Sequence, residues 1–313
     1  MISSPKPVVL LSNQMLSPMQ QALEAQGYEV ARRWEMTPQQ AAEVRAIVHA
    51  GEIALPAEFL ESLPKLGLIA CVSVGYDGVD VPWCRARGLE VTHAQGLNAE
   101  DVADHAIGLM IAGWRNLTAG EAMVRSGGWQ KGERMGPRPS LRGRKLGVMG
   151  LGAIGEAVAV RAEAFGMEVA WWGPREKPGV GRPRAESLLK LAADSDVLVV
   201  ACRADETNRK MVDQAVIEAV GARGMIVNVA RGSIIDEDAL IAALKDGRLG
   251  RAGLDVFETE PTPAQRWADV PNAVLTPHSA GGTSDSVVRM VAQALENVRL
   301  FLVGEPVMSP VAA

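Results

Sequence analysis

Three titratable side chains stand in glycine-, proline- and apolar-rich surroundings: Arg231 in Asn228-Val-Ala-Arg-Gly, Glu260 in Asp255-Val-Phe-Glu-Thr-Glu-Pro, and His278 in Thr276-Pro-His-Ser. A guanidinium presents forked donors that suit a carboxylate or a carbonyl oxygen. An imidazole titrates near neutrality and can give or take a proton. A carboxylate bonded to its other nitrogen would orient the ring and favour its charged form. Together the three would hold a 2-oxo acid and exchange a proton at its oxygen, the acid/base half of a hydride transfer. Singly, each has a plainer explanation: a surface charge, a satisfied buried histidine, a first-turn acid before proline. Their joint placement after strand-like segments, where ligands collect in doubly wound sheets, favours a site.

The hydride carrier is predicted upstream. Lys145-Leu-Gly-Val-Met runs into Gly150-Leu151-Gly152-Ala153-Ile154-Gly155 and then into a helix-forming stretch. The first glycine permits a tight turn, the second lets a pyrophosphate approach bare backbone, and the third lets helix and strand lie close. The next strand ends in Trp171-Trp-Gly173-Pro174-Arg175-Glu-Lys177, with no carboxylate at its tip to receive ribose hydroxyls. Gly173, Pro174 and Arg175, with Lys177 and Arg182 as further cations, favour NADP(H); Glu176 in the same loop opposes them, and NAD(H) stays possible.

These residues need a scaffold, and the chain's alternation of apolar runs with helical stretches supplies one. Strands are predicted over 7–11, 46–49, 68–74, 90–92, 145–149, 168–172, 197–201, 225–229, 251–255 and 273–276. Runs this continuous belong to parallel sheets covered on both faces. The expected fold is therefore α/β, with two doubly wound parallel-sheet domains of Rossmann/flavodoxin-like type and a cleft between them. Residues 1–98 plus 283–313 would form a substrate-binding domain and 99–282 a dinucleotide-binding Rossmann domain. Asn98–Val124 reads as one long helix, with Asn98 and Asp101 as a capped start, and 283–303 as a final helix. The glycine- and proline-dense stretch 126–139 reads as an irregular excursion of the kind that often wraps a partner subunit.

A length of 313 residues and a hydrophobic content of 48% suit two modest globular domains. The net charge of -5 gives no reason to expect nucleic acid or an anionic membrane as partner. Cys71, Cys84 and Cys202 show no metal-like spacing and are expected to be free thiols, so no metal site is expected. Val8–Leu11 is too short for a signal-peptide core and no run reaches membrane-spanning length. The expectation is a soluble cytoplasmic protein.

The glycine fingerprint, Val199-Val-Ala-Cys-Arg-Ala-Asp-Glu-Thr207, Asn228–Asp236, Ala252–Pro261 and Thr276-Pro-His278, in this order, make nearly the whole chain resemble the D-isomer-specific 2-hydroxyacid dehydrogenases. Within that family the acid-free strand tip looks most like the glyoxylate/hydroxypyruvate reductases and the hydroxyphenylpyruvate reductases, many of which use NADPH. The resemblance implies Arg231 as substrate clamp, His278 as acid/base and Glu260 as its partner. It implies that Asp255 reaches the nicotinamide carboxamide, that Cys202, Val229 and Ala230 line the same pocket, and that Arg203 and Thr207 make lesser nucleotide contacts. It also implies that the loop at Val74 and Gly75 receives the substrate carboxylate on backbone N–H groups, with His49 on the neighbouring rim, and that the protein is a homodimer. Trp129 is a candidate lid residue, or equally a core or interface tryptophan. Val287 stands where relatives commonly carry an arginine, so no specificity-setting cation carries over there. The substrate expected is a small 2-oxo acid, with hydroxyphenylpyruvate or 2-ketogluconate as larger alternatives. D-3-phosphoglycerate is disfavoured because the chain ends soon after the last helix, leaving no room for a regulatory domain. A dinucleotide-sensing scaffold of the same fold is the competitor from another class.

Overall fold

The computed structural model describes residues 6–311. The chain forms two compact units, one running to Asn98 and resuming at Gly282, the other spanning Ala99–Gly281. In the first, strands β1 (Val8–Leu11), β2 (Glu29–Arg32), β3 (Val44–His49), β4 (Leu68–Cys71) and β5 (Glu90–Thr92) make a parallel sheet of order β2-β1-β3-β4-β5. In the second, β6 (Lys145–Met149), β7 (Glu168–Trp172), β8 (Val197–Val200), β9 (Met225–Asn228), β10 (Arg251–Leu254) and β11 (Ala273–Leu275) make a parallel sheet of order β11-β10-β9-β8-β6-β7. The fold is thus two doubly wound α/β domains.

Alternate residues of each central strand enter opposite cores, as the two-residue period of a strand requires. Leu146, Val148, Val197, Val199, Met225 and Val227 join one cluster, while Met149, Leu198, Val200 and Ile226 join the other. Each fully buried aliphatic side chain contributes about 1.5–3 kcal/mol, so both sheet faces must be covered. In the first unit Val8, Leu10, Ile47 and Ile69 face one core and Val9, Leu11, Val48 and Leu68 the other.

The strand that the apolar pattern missed is β2. It lies at the sheet edge and buries fully only Ala31, so it lacks the continuous apolar run of a central parallel strand. The single helix expected over Asn98–Val124 is two, Ala99–Arg115 and Leu117–Arg125, separated by Asn116 in the left-handed region at φ 55°. Asparagine tolerates that conformation better than most residues. Nor does Asn98 cap the first helix: its Oδ1 is buried and accepts no hydrogen bond. Residues 130–139 carry no helix or strand, and the last helix, Ser284–Val303, is capped by the Thr283 side chain. The three cysteines are free thiols, and among the described residues no helix is long and apolar enough to cross a membrane.

Candidate active site

The crevice where strand order reverses in the larger sheet lies between β6 and β8, and such a switch point is where open α/β sheets bind ligands. The fingerprint follows β6. Gly150 has φ +92°, and a Cβ there would lie 2.4 Å from Cys202 Cβ, so the turn tolerates no side chain. A Cβ on Gly155 would lie 2.1 Å from the Gly150 carbonyl oxygen. Gly152 differs: nothing lies within 4 Å of its Cβ position, and its φ of -82° is open to any residue. Its lack of a side chain answers no need of the chain itself and suits a phosphate lying on the backbone at the N-terminus of the helix Ala153–Ala164. Leu151 is buried, Ala153 exposed and Ile154 half-buried. Cys202 backs the turn, and burial pushes its thiol up to about 11, so it remains a neutral wall.

At the tip of β7, Gly173 is buried and Pro174, Arg175 and Lys177 are exposed. Arg175 makes no hydrogen bond or ion pair among the described residues. Lys177 folds back to donate to the Leu151 carbonyl oxygen of the fingerprint. Arg182, named above as a further cation favouring NADP(H), is engaged by two carboxylates, 2.6 Å from Glu156 and 2.6 and 2.9 Å from Glu163. A residue not singled out in the sequence takes part: Arg184 donates to the Gly173 carbonyl oxygen at 2.8 Å and lies 3.9 Å from Glu176, partly offsetting the loop's one negative charge. Arg203 and Thr207 are exposed, and Thr207 is bonded to Asp205 at 2.5 Å in a capped turn.

The three titratable residues sit beyond β9, β10 and β11, at adjacent carboxyl ends. The loop bearing Arg231 is shaped by Asn228, whose side chain accepts from the Ala230 N–H and donates to the Arg231 carbonyl oxygen, both at 3.0 Å. Val229 and Ala230 are buried. Gly232 must be glycine, because a Cβ would lie 1.9 Å from the carbonyl carbon of Phe257 in the loop that carries Glu260. That close approach joins the Arg231 and Glu260 loops. Glu260 Oε1 accepts the Phe257 N–H at 2.9 Å, and Oε2 lies 2.7 Å from His278 Nδ1. Burial would raise the Glu260 carboxyl, but the hydrogen bonds from His278 and Phe257 and the charges of His278 and Arg231 outweigh it and leave its pKa below the ordinary value. Since an ionised carboxylate only accepts, Nδ1 carries the donated proton.

A family model described as "D-isomer specific 2-hydroxyacid dehydrogenase, NAD binding domain" matches residues 107–280. Hydroxyphenylpyruvate reductase of Plectranthus scutellarioides is 36% identical over 95% of this chain and 97% of its own length. The chain belongs to the D-isomer specific 2-hydroxyacid dehydrogenase family. Among solved structures, a 2-hydroxyacid dehydrogenase of Ketogulonicigenium vulgare superposes with a TM-score of 0.92 at 37% identity, covering 99% of both chains. An NADPH-dependent glyoxylate/hydroxypyruvate reductase of Sinorhizobium meliloti, solved with NADP and malonate, gives 0.91 at 34% identity over 98% of this chain and 97% of the other. This protein is accordingly a nicotinamide-dinucleotide oxidoreductase, a D-2-hydroxyacid dehydrogenase of the kind that reduces 2-oxo acids.

Two residues of this dehydrogenase differ from what the sequence suggested. Asp255 is only 1% exposed. Its carboxylate accepts from Thr276 Oγ1 at 2.5 Å, Ser279 N at 3.0 Å and Ala280 N at 2.8 Å. It is turned inward to hold the His278 loop, not outward to a ligand. In the other unit, His49 is wholly buried, with Nδ1 2.8 Å from Ser12 Oγ and Nε2 2.9 Å from the Ile53 carbonyl oxygen. With both nitrogens engaged it braces the loop after β3 and presents no rim group. The loop after β4 carries the other residues expected to meet substrate. The amides of Val74 and Gly75 make no hydrogen bond among the described residues, while Ser73 Oγ accepts from the Gly51 N–H and donates to the Gly75 carbonyl oxygen. Adjacent unpaired N–H groups in a braced turn suit an anion. Trp129 is 60% exposed and so is not a core residue of this chain.

Proposed function

We propose that this dehydrogenase is an NADPH-preferring reductase of small 2-oxo acids of the glyoxylate and hydroxypyruvate type, forming D-2-hydroxy acids. The observation that carries the reading is the 2.7 Å contact between His278 Nδ1 and Glu260 Oε2, set at the sheet edge that also bears the fingerprint. Gly150–Gly155 would hold the reduced dinucleotide, which when bound would supply the hydride. Arg231 clamps the substrate's carboxylate and carbonyl oxygen and polarises the carbon between them. His278, oriented through Nδ1, delivers a proton from Nε2 to the oxygen that becomes the hydroxyl, and Glu260 keeps the ring charged for that purpose. The Val74 and Gly75 amides receive the substrate carboxylate. Support for NADPH comes from Gly173 in place of an acid, from the uncommitted Arg175 and from Arg184 offsetting Glu176. The glyoxylate/hydroxypyruvate reductase that superposes on this chain supports the substrate class.

Steady-state kinetics with glyoxylate, hydroxypyruvate, hydroxyphenylpyruvate and 2-ketogluconate, each with NADPH and with NADH, test the reading. The small acids should show the highest kcat/KM, with NADPH favoured by about tenfold or more, the worth of one charge-assisted contact. A cofactor ratio near one removes the assignment of Gly173 and Arg175. A best rate with a larger acid reassigns the substrate, and tight dinucleotide binding without turnover leaves a sensing scaffold.

A further inference from the structure

The helix Ala99–Arg115 packs closely on β9 and β10. A Cβ on Gly253 would lie 3.1 Å from Leu109 Cβ, and one on Gly113 would lie 2.6 Å from Met225 Cε. His105, Leu109 and Gly113 are spaced four apart and form one stripe of the helix, while Gly253 and Asp255 point to one side of the strand. The same close packing that sets Leu109 on Gly253 sets His105 one turn earlier, over Asp255. His105 Nε2 lies 2.8 Å from Thr276 Oγ1 and 3.4 Å from Asp255 Oδ1. Thr276 Oγ1 in turn lies 2.5 Å from Asp255 Oδ1.

Donor counting fixes the direction of this chain. The threonine hydroxyl has one hydrogen, and a carboxylate only accepts, so that hydrogen goes to Asp255. The remaining contact to the hydroxyl must come from a donor, and His105 therefore carries a proton on Nε2. Beyond Asp255 the network ends on the loop of the acid/base residue. Asp255 accepts the N–H groups of Ser279 and Ala280 on its carboxylate, and that of His278 on its main-chain carbonyl at 2.7 Å. Between these bonds His278 adopts a left-handed backbone at φ 50°, a conformation that persists in a non-glycine residue when its surroundings over-determine it.

We propose that His105 is a positioning residue for the reaction: by donating to Thr276 it commits that hydroxyl to Asp255, and so fixes the turn that presents His278. The inference rests on the acid/base role given above to His278. His105→Ala, Thr276→Val and the double variant, with His105→Gln as a replacement that keeps a donor, decide it. Each single variant should lose about tenfold or more in kcat, since small misplacements of reacting groups are costly, while the dissociation constant for NADPH changes less than twofold. The double variant should be no worse than either single one, and His105→Gln should recover most of the rate. An undiminished kcat in His105→Ala, or losses that multiply in the double variant, would overturn the proposal.

A readout independent of turnover comes from nitrogen-15 spectra of the imidazoles, which are tractable because the chain has only 4 histidines. His105 should be found protonated at Nε2, and the ring signals of His278 should move in Thr276→Val. A His105 protonated only at Nδ1, or unmoved His278 signals, overturns the proposal even if the wild type proves to reduce no 2-oxo acid. Should His105→Ala fail to fold, Thr276→Val and the wild-type spectra still decide.

Discussion

Gly152 and Gly155 share a residue type for opposite reasons, and single substitutions separate them. Gly155→Ala forces a Cβ against the Gly150 carbonyl oxygen, so overpacking should cost about 1–3 kcal/mol and lower the melting temperature. Gly152→Ala meets open space at an ordinary φ, and should leave stability unchanged or raise it by about 0.4–1 kcal/mol through the unfolded state. Its effect should appear as a fall of about tenfold or more in NADPH affinity, measured by fluorescence titration, because the added methyl occupies the phosphate's approach. Equal affinity in that variant would remove the cradle from the crevice. Glu260 gives a second residue-scale outcome. Its pKa is depressed, so it stays ionised through the usual carboxylate range and above, where its charge favours a protonated His278. In the proposed reduction the protonated ring is the proton donor. Glu260→Gln removes the favouring charge, so the alkaline limb of kcat should move to lower pH by about one unit, the low end for an opposite charge in contact because the pair is partly solvated. An unmoved limb in the pH–rate profile would separate Glu260 from the proton transfer.

Among the elements, the ends of β1 and β3 are tied by Ser12 and His49, at the switch point of the smaller sheet. Burial lowers the His49 pKa to about 4, with the hydrogen bond to Ile53 opposing that shift. An unfolded chain, with histidine near its usual ~6.5, then binds the extra proton first as pH falls. The stability tied to the neutral ring is therefore complete above about pH 6.5 and is lost progressively down to about pH 4, by an amount of about 3 kcal/mol. Urea unfolding of wild type and His49→Gln across that window should show the wild type losing this increment and the variant lacking it; parallel curves would contradict the assignment. His49 also shows where the sequence was legible and where it was not. Its position after an apolar run marked the end of a strand, but the direction of its side chain depended on Ser12 and Ile53, which no local pattern reveals. The central strands were readable because burial on both faces makes them continuously apolar. β2 was not, because an edge strand alternates. The break at Asn116 escaped because the apolar period continues through it, and Arg182 was misassigned because its carboxylate partners, Glu156 and Glu163, come from a separate helix.

For the molecule as a whole, the two units differ in how the chain closes them. Both cores of the larger unit draw only on residues between Val102 and Ala280, one continuous stretch. The smaller unit is discontinuous. One face of its sheet is buried by the helix Ser284–Val303, whose Ala294 and Val298 pack with Val9, Leu11, Leu68 and Ala70. Removing that helix uncovers a row of aliphatic side chains, each worth about 1.5–3 kcal/mol, against a net domain stability of only about 5–15 kcal/mol. A fragment of residues 99–281 should thus fold alone, melt cooperatively and bind NADPH, whereas residues 1–98 should not fold. The Arg289 side chain donates to the Leu97 carbonyl oxygen at 3.0 Å, which places the two ends of the excised segment near one another. Joining residue 98 to residue 282 through a short glycine-serine linker should therefore restore a cooperative melt to the smaller unit, followed by far-ultraviolet circular dichroism. A cooperative transition in residues 1–98 alone, or none in the linked chain, would show that the last helix does not complete this core.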